Sequence, residues 1–526
     1  SNGVYDLAQL MPGKMADHAQ ISETTTLVCI ALCWSACQIV WAVQFGFGTP
    51  TFRELGVPSS LLGLIWIAGP LSGVLVQPTV GAASDSLRNC RWGRRRPFLV
   101  VSGVIVSCCL LTFAFAERIG YWLGDSQVDG QHSRGATVAI LAFTLQDCAL
   151  NSYQGPIRAL VSDLLPTQRH GFANALLAFS TGASWLVGYG IGAVDLRSVL
   201  PFFKSELQAV AFLAVVFVCV FGLAPLCLLK EPHLPRLVTA ADAEDDCGGQ
   251  VASVDGRSRR GQIGDACARG GRLLCWPVAE AFTSARSLPA CLWPVFAVQF
   301  WTFWAWFAFK MFASEWMGTC VFGGRAGSPE GSPEHEQYEA GVRWANFSLM
   351  TLSGVFCASS LVQKALADCF GLQRVWCFSL VLLAVSMCLM ATPGLTPWQA
   401  WLLVAVLGFP FSAAFSFPWT VVTKVAAGLE STGRITAGFN LSQCLPDFAI
   451  AFMSGPLIAA SQIDSVTPVL LVGGLGAAVA AVLASRLDLE ELKRTDSDVT
   501  TAELEAADPL QAQTLGLQQD ARRSKK

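Results

Sequence analysis

The chain has 526 residues, of which 53% are hydrophobic and only 14% charged, with a formal net charge of −3. A soluble domain carries about 25% charged residues, so a soluble globular protein is excluded, and a near-neutral charge gives no case for a nucleic-acid partner. The charges gather in short runs between apolar stretches, each close to the ~20 residues that cross a ~30 Å hydrocarbon core. This is the pattern of an all-α polytopic protein whose surroundings are a lipid bilayer.

In chain order, residues 1–26 are polar, with no apolar core ahead of a cleavage site, so no cleavable signal is expected. Twelve spans follow, near 27–49, 60–83, 97–116, 136–162, 171–195, 206–229, 289–313, 341–363, 374–393, 397–423, 433–460 and 466–485. The first six make one unit, 27–229, and the last six another, 289–485, which suggests an internal duplication. Between them, 230–288 is rich in Gly, Asp and Arg and reads as a disordered linker. The tail 486–526 is polar and carries no motif. The 19 cysteines lie mostly inside apolar segments, as at Cys29, Cys33 and Cys37, where a thiol serves as a small hydrophobe. None has zinc-site spacing, and no metal or cofactor is implied.

Lysine and arginine bias sets orientation. The loop after span 2 holds Arg88, Arg91, Arg94, Arg95 and Arg96, and the other even-to-odd loops add Arg169, Lys364, Arg374, Lys424 and Arg434. The opposite loops are mixed or acidic, as in 325–339. Both termini, the linker and the tail are therefore expected in the cytoplasm, and span 4 runs from outside to inside.

Span 4 is the anomaly. It carries Asp147, Asn151, Gln154 and Arg158 at i, i+4, i+7 and i+11, on one helix face. Charges inside a lipid-spanning helix cost roughly 2.5–3.5 kcal/mol each on insertion scales and turn toward a protein cavity. Eleven residues at 1.5 Å put the Asp147 and Arg158 Cα atoms about 16 Å apart, too far for a direct ion pair in a straight helix. Pro156 removes a backbone donor between them, so a kink is expected.

Several strings then resemble one family. LIWIAGPLSGVLVQPTVGAASD (64–85), CRWGRRRPF (90–98), QGPIRALVSDL (154–164), FANALLAF (172–179), VGYGIGAVD (187–195), FASEWMGTCVFGG (312–324) and GFPFSAAFSFPW (408–419) are similar, in the same order, to plant sucrose carriers and their animal relatives. These form a branch of the major facilitator superfamily. The resemblance implies twelve helices in two six-helix bundles, no enzyme activity, and uptake of sucrose, or of glucose or a related sugar, together with a proton. A facilitative carrier or sugar sensor of the same fold, without proton coupling, is the alternative. The plasma membrane is the expected site, with an endomembrane next.

The resemblance also implies roles. Asp147 stands where the family binds its proton, and burial of a carboxyl disfavours its charged form, so it can load outside and release inside. The alternative is a structural carboxylate. Arg158 is the coupling or gating cation, or else an interface anchor whose head snorkels to water. Asp85, Gly93, Arg94 and Arg95 form the loop expected to tie the inner ends of the bundles by ion pairs, or simply to obey the charge rule. Ala367-Asp368 with Gly371 and Arg374 is a weaker echo in the second half.

Departures from the plant pattern fall at Ala313, Thr319 and Cys320, leaving Glu315 as the one acidic group of that string and a second gating candidate. Lys310 and Glu315 are a candidate local pair, and Lys310 or Asp447 a candidate extra charge in the cavity. Sugars present apolar faces and hydroxyls to aromatic and polar side chains. The candidates are Gln44, Asn151, Gln154, Asn174, Trp304, Trp306, Asn440 and Gln443, with the two tryptophans alternatively packing residues. Asn346-Phe347-Ser348 fits a glycosylation sequon but lies too close to the membrane to be used.

Overall fold

The computed structural model describes residues 23–87, 90–126, 132–229, 231, 283, 286, 288–329, 331–426, 432–461 and 465–487. The segment 230–288 and the tail 486–526 fall almost entirely outside the described residues. Among the described residues every regular element is helical. Twelve rods match the predicted spans: α1 (Glu23–Glu54), α2 (Ser59–Trp66, resuming at Ala68–Ser86), α3 (Arg96–Ala114, then Ala116–Trp122), α4 (Ser133–Leu164), α5 (Thr167–Ala193) and α6 (Glu206–Phe217, continuing through wider and tighter turns to Cys227). The second six are α7 (Trp293–Trp316), α8 (Pro333–Phe370), α9 (Leu372–Met390), α10 (Pro397–Val406 and Gly408–Ala426), α11 (Thr432–Ala460) and α12 (Thr467–Ser485).

Eleven of these are long and apolar enough to cross a bilayer. The exception is α4, which has the length, 32 residues, but carries the polar stripe. It runs without interruption through Pro156. Local signals set the ends of others. Ser332 and Thr396 accept backbone N–H groups of His335 and Gln399 at the starts of α8 and α10, filling donors that a first turn leaves open.

α1 is buried on nearly every side between Leu27 and Phe52, which places it inside the assembly rather than against lipid. It is α1, α2 and α5 that meet the second half, against α7, α11 and α8 respectively. Thr49 of α1 donates to the Met311 carbonyl of α7 at 2.6 Å. A Cβ at Gly63 would lie 2.2 Å from the Ala451 carbonyl, and one at Gly455 2.3 Å from the Ser60 carbonyl. Such small residues let α2 and α11 touch backbone to backbone. Gly182, Gly190 and Gly192 of α5 leave room for the Phe356, Met350 and Asn346 side chains of α8.

All these contacts use the C-terminal ends of α1, α5, α7 and α11 and the N-terminal ends of α2 and α8. The halves are therefore joined at one end. At the end bearing the arginine loop, α4 and α10 pack principally within their own halves.

Among the described residues, the arginine loop bonds within its own half. Arg94 and Arg95 pair with Asp163 at the end of α4, Arg95 through Nε at 3.0 Å. The backbone N–H groups of Arg94, Arg95 and Arg96 donate to the Glu231 carboxylate at 2.7, 2.9 and 2.8 Å. A carboxylate over the N-terminus of α3 is favoured by that helix's exposed donors and dipole. These contacts make a clasp among α2, α3, α4 and the residues after α6. The Asp85 side chain lies outside the described residues.

Gly93 makes the clasp possible, with φ +86° and a hypothetical Cβ only 2.6 Å from Glu231 Cδ. Gly93→Ala is expected to cost about 1–3 kcal/mol of strain. In detergent it should lower the apparent melting temperature; an unchanged value would refute the clasp.

Candidate functional site

Two polar clusters face each other at mid-height. In the first half, Asp147 is fully buried on α4. Gln44 of α1 donates from Nε2 to Asp147 Oδ1 at 2.6 Å, and Gln146 Nε2 donates to Gln44 Oε1 at 2.9 Å. Asn151 donates to Ser72 Oγ of α2 at 2.8 Å and to the Asp147 carbonyl at 3.0 Å. The other carboxyl oxygen, Asp147 Oδ2, is buried with no hydrogen-bond partner. Opposite it is Gly69, whose missing side chain leaves room, since a Cβ there would lie 3.7 Å away. Buried polar atoms are almost always satisfied, so a bare carboxyl oxygen over an open glycine marks a place where a proton or a ligand can act.

In the second half, Lys310 of α7 and Asp447 of α11 lie 3.9 Å apart, Nζ to Oδ2. Asp447 Oδ1 is buried without a partner. The Lys310 ammonium also stands over the rings of Phe45 in α1 and Phe307, 4.9 and 5.0 Å from their centroids. Lys310 does not pair with Glu315, a correction with a geometric cause. Five residues turn a helix by about 140°, so the two side chains leave different faces.

Glu315 is instead the centre of a closure between halves. Its Oε1 accepts from Arg53 Nε of α1 at 3.0 Å, and its Oε2 accepts from the Tyr338 hydroxyl of α8. It is 1% exposed. A buried bond to a charged group contributes about 1.5–3 kcal/mol, and this one spans the joined end.

Arg158 lies three turns from Asp147 and is not its partner. Among the described residues it makes no ion pair, and its Cζ stands 5.1 Å over the Trp34 ring. Trp34 is held by Thr181 of α5, accepting from Nε1 at 2.9 Å. A flat guanidinium on an indole face is a geometry that lysine does not reproduce.

The predicted aromatic pair divides. Trp306 stacks on Trp185 of α5 across the junction between halves, centroids 5.9 Å apart at 20°, with Phe415 edge-on to both. Trp185 Nε1 is buried without an acceptor. Trp304 points elsewhere, donating to the Val472 carbonyl of α12 at 3.2 Å and abutting Gly476; it is a packing residue. Asn440 donates to Cys444 at 3.7 Å within α11, and Gln443 Nε2 is buried and unpaired. Gln154 is half-buried on α4, and Asn174 is exposed toward the open end. Asn346 is buried against Gly46 and Gly192, so the sequon is closed to modification.

Sequence reasoning missed Trp185, Arg53, Tyr338, Asp163 and Glu231. Only Asp163 carried a signal, inside the QGPIRALVSDL string.

A family model described as Major Facilitator Superfamily matches residues 27–451. Sucrose transport protein SUT3 of Oryza sativa subsp. japonica is 30% identical over 80% of this chain and 84% of its own. Sucrose transport proteins SUC3 and SUC4 of Arabidopsis thaliana are 29% and 27% identical, covering 84% and 83% of this chain and 84% and 85% of their own. Among solved structures, a D-xylose-proton symporter superposes with a TM-score of 0.54 at 14% identity, covering 88% of this chain and 96% of that one.

Proposed function

Since the chain belongs to the major facilitator superfamily and, within it, to the family of the sucrose transport proteins, we propose that it carries sucrose or a closely related sugar across a membrane together with a proton, by alternating access of its two halves. The observation that carries the proton half of this reading is the bare Oδ2 of Asp147, buried over Gly69 while Oδ1 is held by Gln44. A buried carboxyl in such a place is stable neutral and costly charged. It holds a proton until the cavity wets or a cation approaches.

With the arginine loop on the cytoplasmic side, the joined end is external and the conformation described above is inward-open. In the cycle, the outward-open carrier takes a proton on Asp147 and a sugar between the α4 stripe and the Trp185–Trp306 platform. Closure of α1 on α7 and of α2 on α11 then exposes the site to the cytoplasm, where sugar and proton leave. The plasma membrane is the proposed location, with residues 230–288 and 486–526 cytoplasmic.

Uptake of labelled sucrose into proteoliposomes, with the external pH set acidic and then neutral, tests the reading. Acid-stimulated accumulation supports it. Uptake indifferent to the gradient makes the protein a facilitative carrier, and uptake of hexose but not sucrose overturns the substrate. Arg158→Lys is expected to lower sucrose uptake about tenfold, a loss of about 1.4 kcal/mol. An interface anchor would tolerate it.

A further inference from the structure

Lys310 and Asp447 are paired without satisfying each other. Nζ and Oδ2 stand 3.9 Å apart, beyond the ~2.7–3.2 Å at which an N–H reaches an oxygen. Among the described residues the ammonium makes no hydrogen bond and rests against the rings of Phe45 and Phe307. Asp447 Oδ1 is buried with no partner. A buried ion pair that serves stability alone closes its gap and fills its remaining donors and lone pairs. This one leaves ammonium donors on α7 and a carboxyl acceptor on α11 unfilled, side by side. The two side chains keep 15% and 13% of their surface accessible, so a small ligand can reach them.

Their surroundings match one kind of ligand. Trp306 precedes Lys310 by four residues, on the same face of α7 and one turn nearer the open end. It stacks there on Trp185 of the first half. Gln443 precedes Asp447 by four residues on α11, and its Nε2 is buried without an acceptor. Met311, next to Lys310, receives the Thr49 hydroxyl in the external closure. The pair therefore sits just under the closed end, with an aromatic face and a further donor one turn below it. A sugar offers hydroxyls beside apolar C–H faces, and each hydroxyl both donates and accepts. An anionic ligand would meet Asp447 as a like charge and a cationic one would meet Lys310, so the pair suits a neutral ligand.

We propose that Lys310 and Asp447 are the hydroxyl-reading subsite of the sugar site: one sugar hydroxyl donates to Asp447 Oδ1, its neighbour accepts from the Lys310 ammonium, and the ring lies toward Trp306. No proton is transferred, and both groups stay charged. Hydrogen bonds to charged partners are the stronger kind, so the subsite selects the vicinal hydroxyl pair that is accepted. This inference rests on the sugar-carrying reading above and adds to it two residues and the specificity they impose.

Sucroses that each lack one hydroxyl read the subsite out, as competitors of labelled sucrose on the full-length protein in detergent. A site built around a hydroxyl rejects the analogue without it by up to about 10⁴–10⁵-fold. Two neighbouring positions are expected to lose at least about tenfold in wild type. In the paired variant Lys310→Met, Asp447→Leu, no charge is left uncompensated, so the melting temperature is expected to hold or rise. Sucrose should bind this variant at least about tenfold more weakly, and those two deoxysucroses should then bind as well as sucrose does. A pair that only holds α7 to α11 would leave the deoxysucrose pattern as in wild type.

Lys310→Arg gives the same reading with the charge kept. Its guanidinium fork can span the gap to Asp447 in bidentate fashion, occupying the oxygen that the hydroxyl needs. The deoxysucrose pattern should flatten here too.

No displaceable sucrose binding in wild type removes the sucrose reading and this inference with it. Where sucrose binds, deoxysucroses all within about threefold of sucrose in wild type, or a wild-type pattern persisting in the paired variant, overturns the inference alone. If the paired variant does not fold, the Lys310→Arg pattern decides, and an unflattened one overturns it.

Discussion

Asp147→Asn is expected to abolish uphill sugar accumulation while leaving the protein folded and in the membrane. The substitution is nearly isosteric, and its amide can still meet Gln44, whose Nε2 lies 2.6 Å from Oδ1 in the parent. What it cannot do is gain or lose a proton. A gradient of one pH unit is worth about 1.4 kcal/mol, or about tenfold accumulation per coupled proton. The variant should therefore reach an accumulation ratio of about one, whatever the external pH. Sugar-induced proton entry, followed by a pH-sensitive dye inside the vesicles, should vanish with it. Because the variant imitates the loaded, neutral site, exchange should outlast accumulation. A sugar-induced proton current of wild-type size in Asp147→Asn would remove Asp147 from the pathway.

The reach of the sequence differs between elements, for reasons that are physical. The stripe on α4 was legible because all its members share one helix, where a period of 3.6 decides what faces what. Gln44 was legible as a candidate, but its bond to Asp147, 103 residues away, depends on how helices pack side by side. Periodicity within one helix carries no information on that. The Lys310–Glu315 expectation failed for a neighbouring reason. Nearness in sequence is not nearness in space here, because five residues point a side chain about 140° away. Each then found its partner on another helix, Lys310 on α11 and Glu315 on α1 and α8.

The arginine loop shows the same limit. Its charges and Gly93 were readable, but whether they hold halves together or clasp one half depends on which conformation is populated. Trp185 escaped notice because a lone tryptophan in a span has the look of an interface residue. Only its stacking on Trp306 sets it apart.

Gly63→Val is expected to trap the carrier with its external end open. In the conformation described above, a Cβ at this position would meet the Ala451 carbonyl at 2.2 Å and Ser454 Oγ at 2.0 Å. The serine hydroxyl can rotate away. The carbonyl belongs to the α11 backbone, and a Cβ has no rotamer with which to avoid it. The clash is relieved only when α2 and α11 part, which is what opening the external end requires. Overpacking of this kind costs about 1–3 kcal/mol, occasionally more. As a bias between two states, that is a shift of about 5- to 150-fold. The Arg53–Glu315–Tyr338 closure remains chemically intact in the variant, so a loss of transport cannot be ascribed to missing charge.

The reporter is Thr49, 1% exposed where α1 donates to the Met311 carbonyl of α7. With cysteine placed there, a membrane-impermeant maleimide added outside should label the Thr49→Cys protein slowly. It should label the Thr49→Cys, Gly63→Val protein at least about fivefold faster, the lower bound of that shift, with peptide mass spectrometry separating this site from the native thiols. Net uptake should fall by a comparable factor while sugar binding from the outside persists. Equal labelling rates in the two proteins would mean that the α2–α11 contact at Gly63 is not part of the external closure.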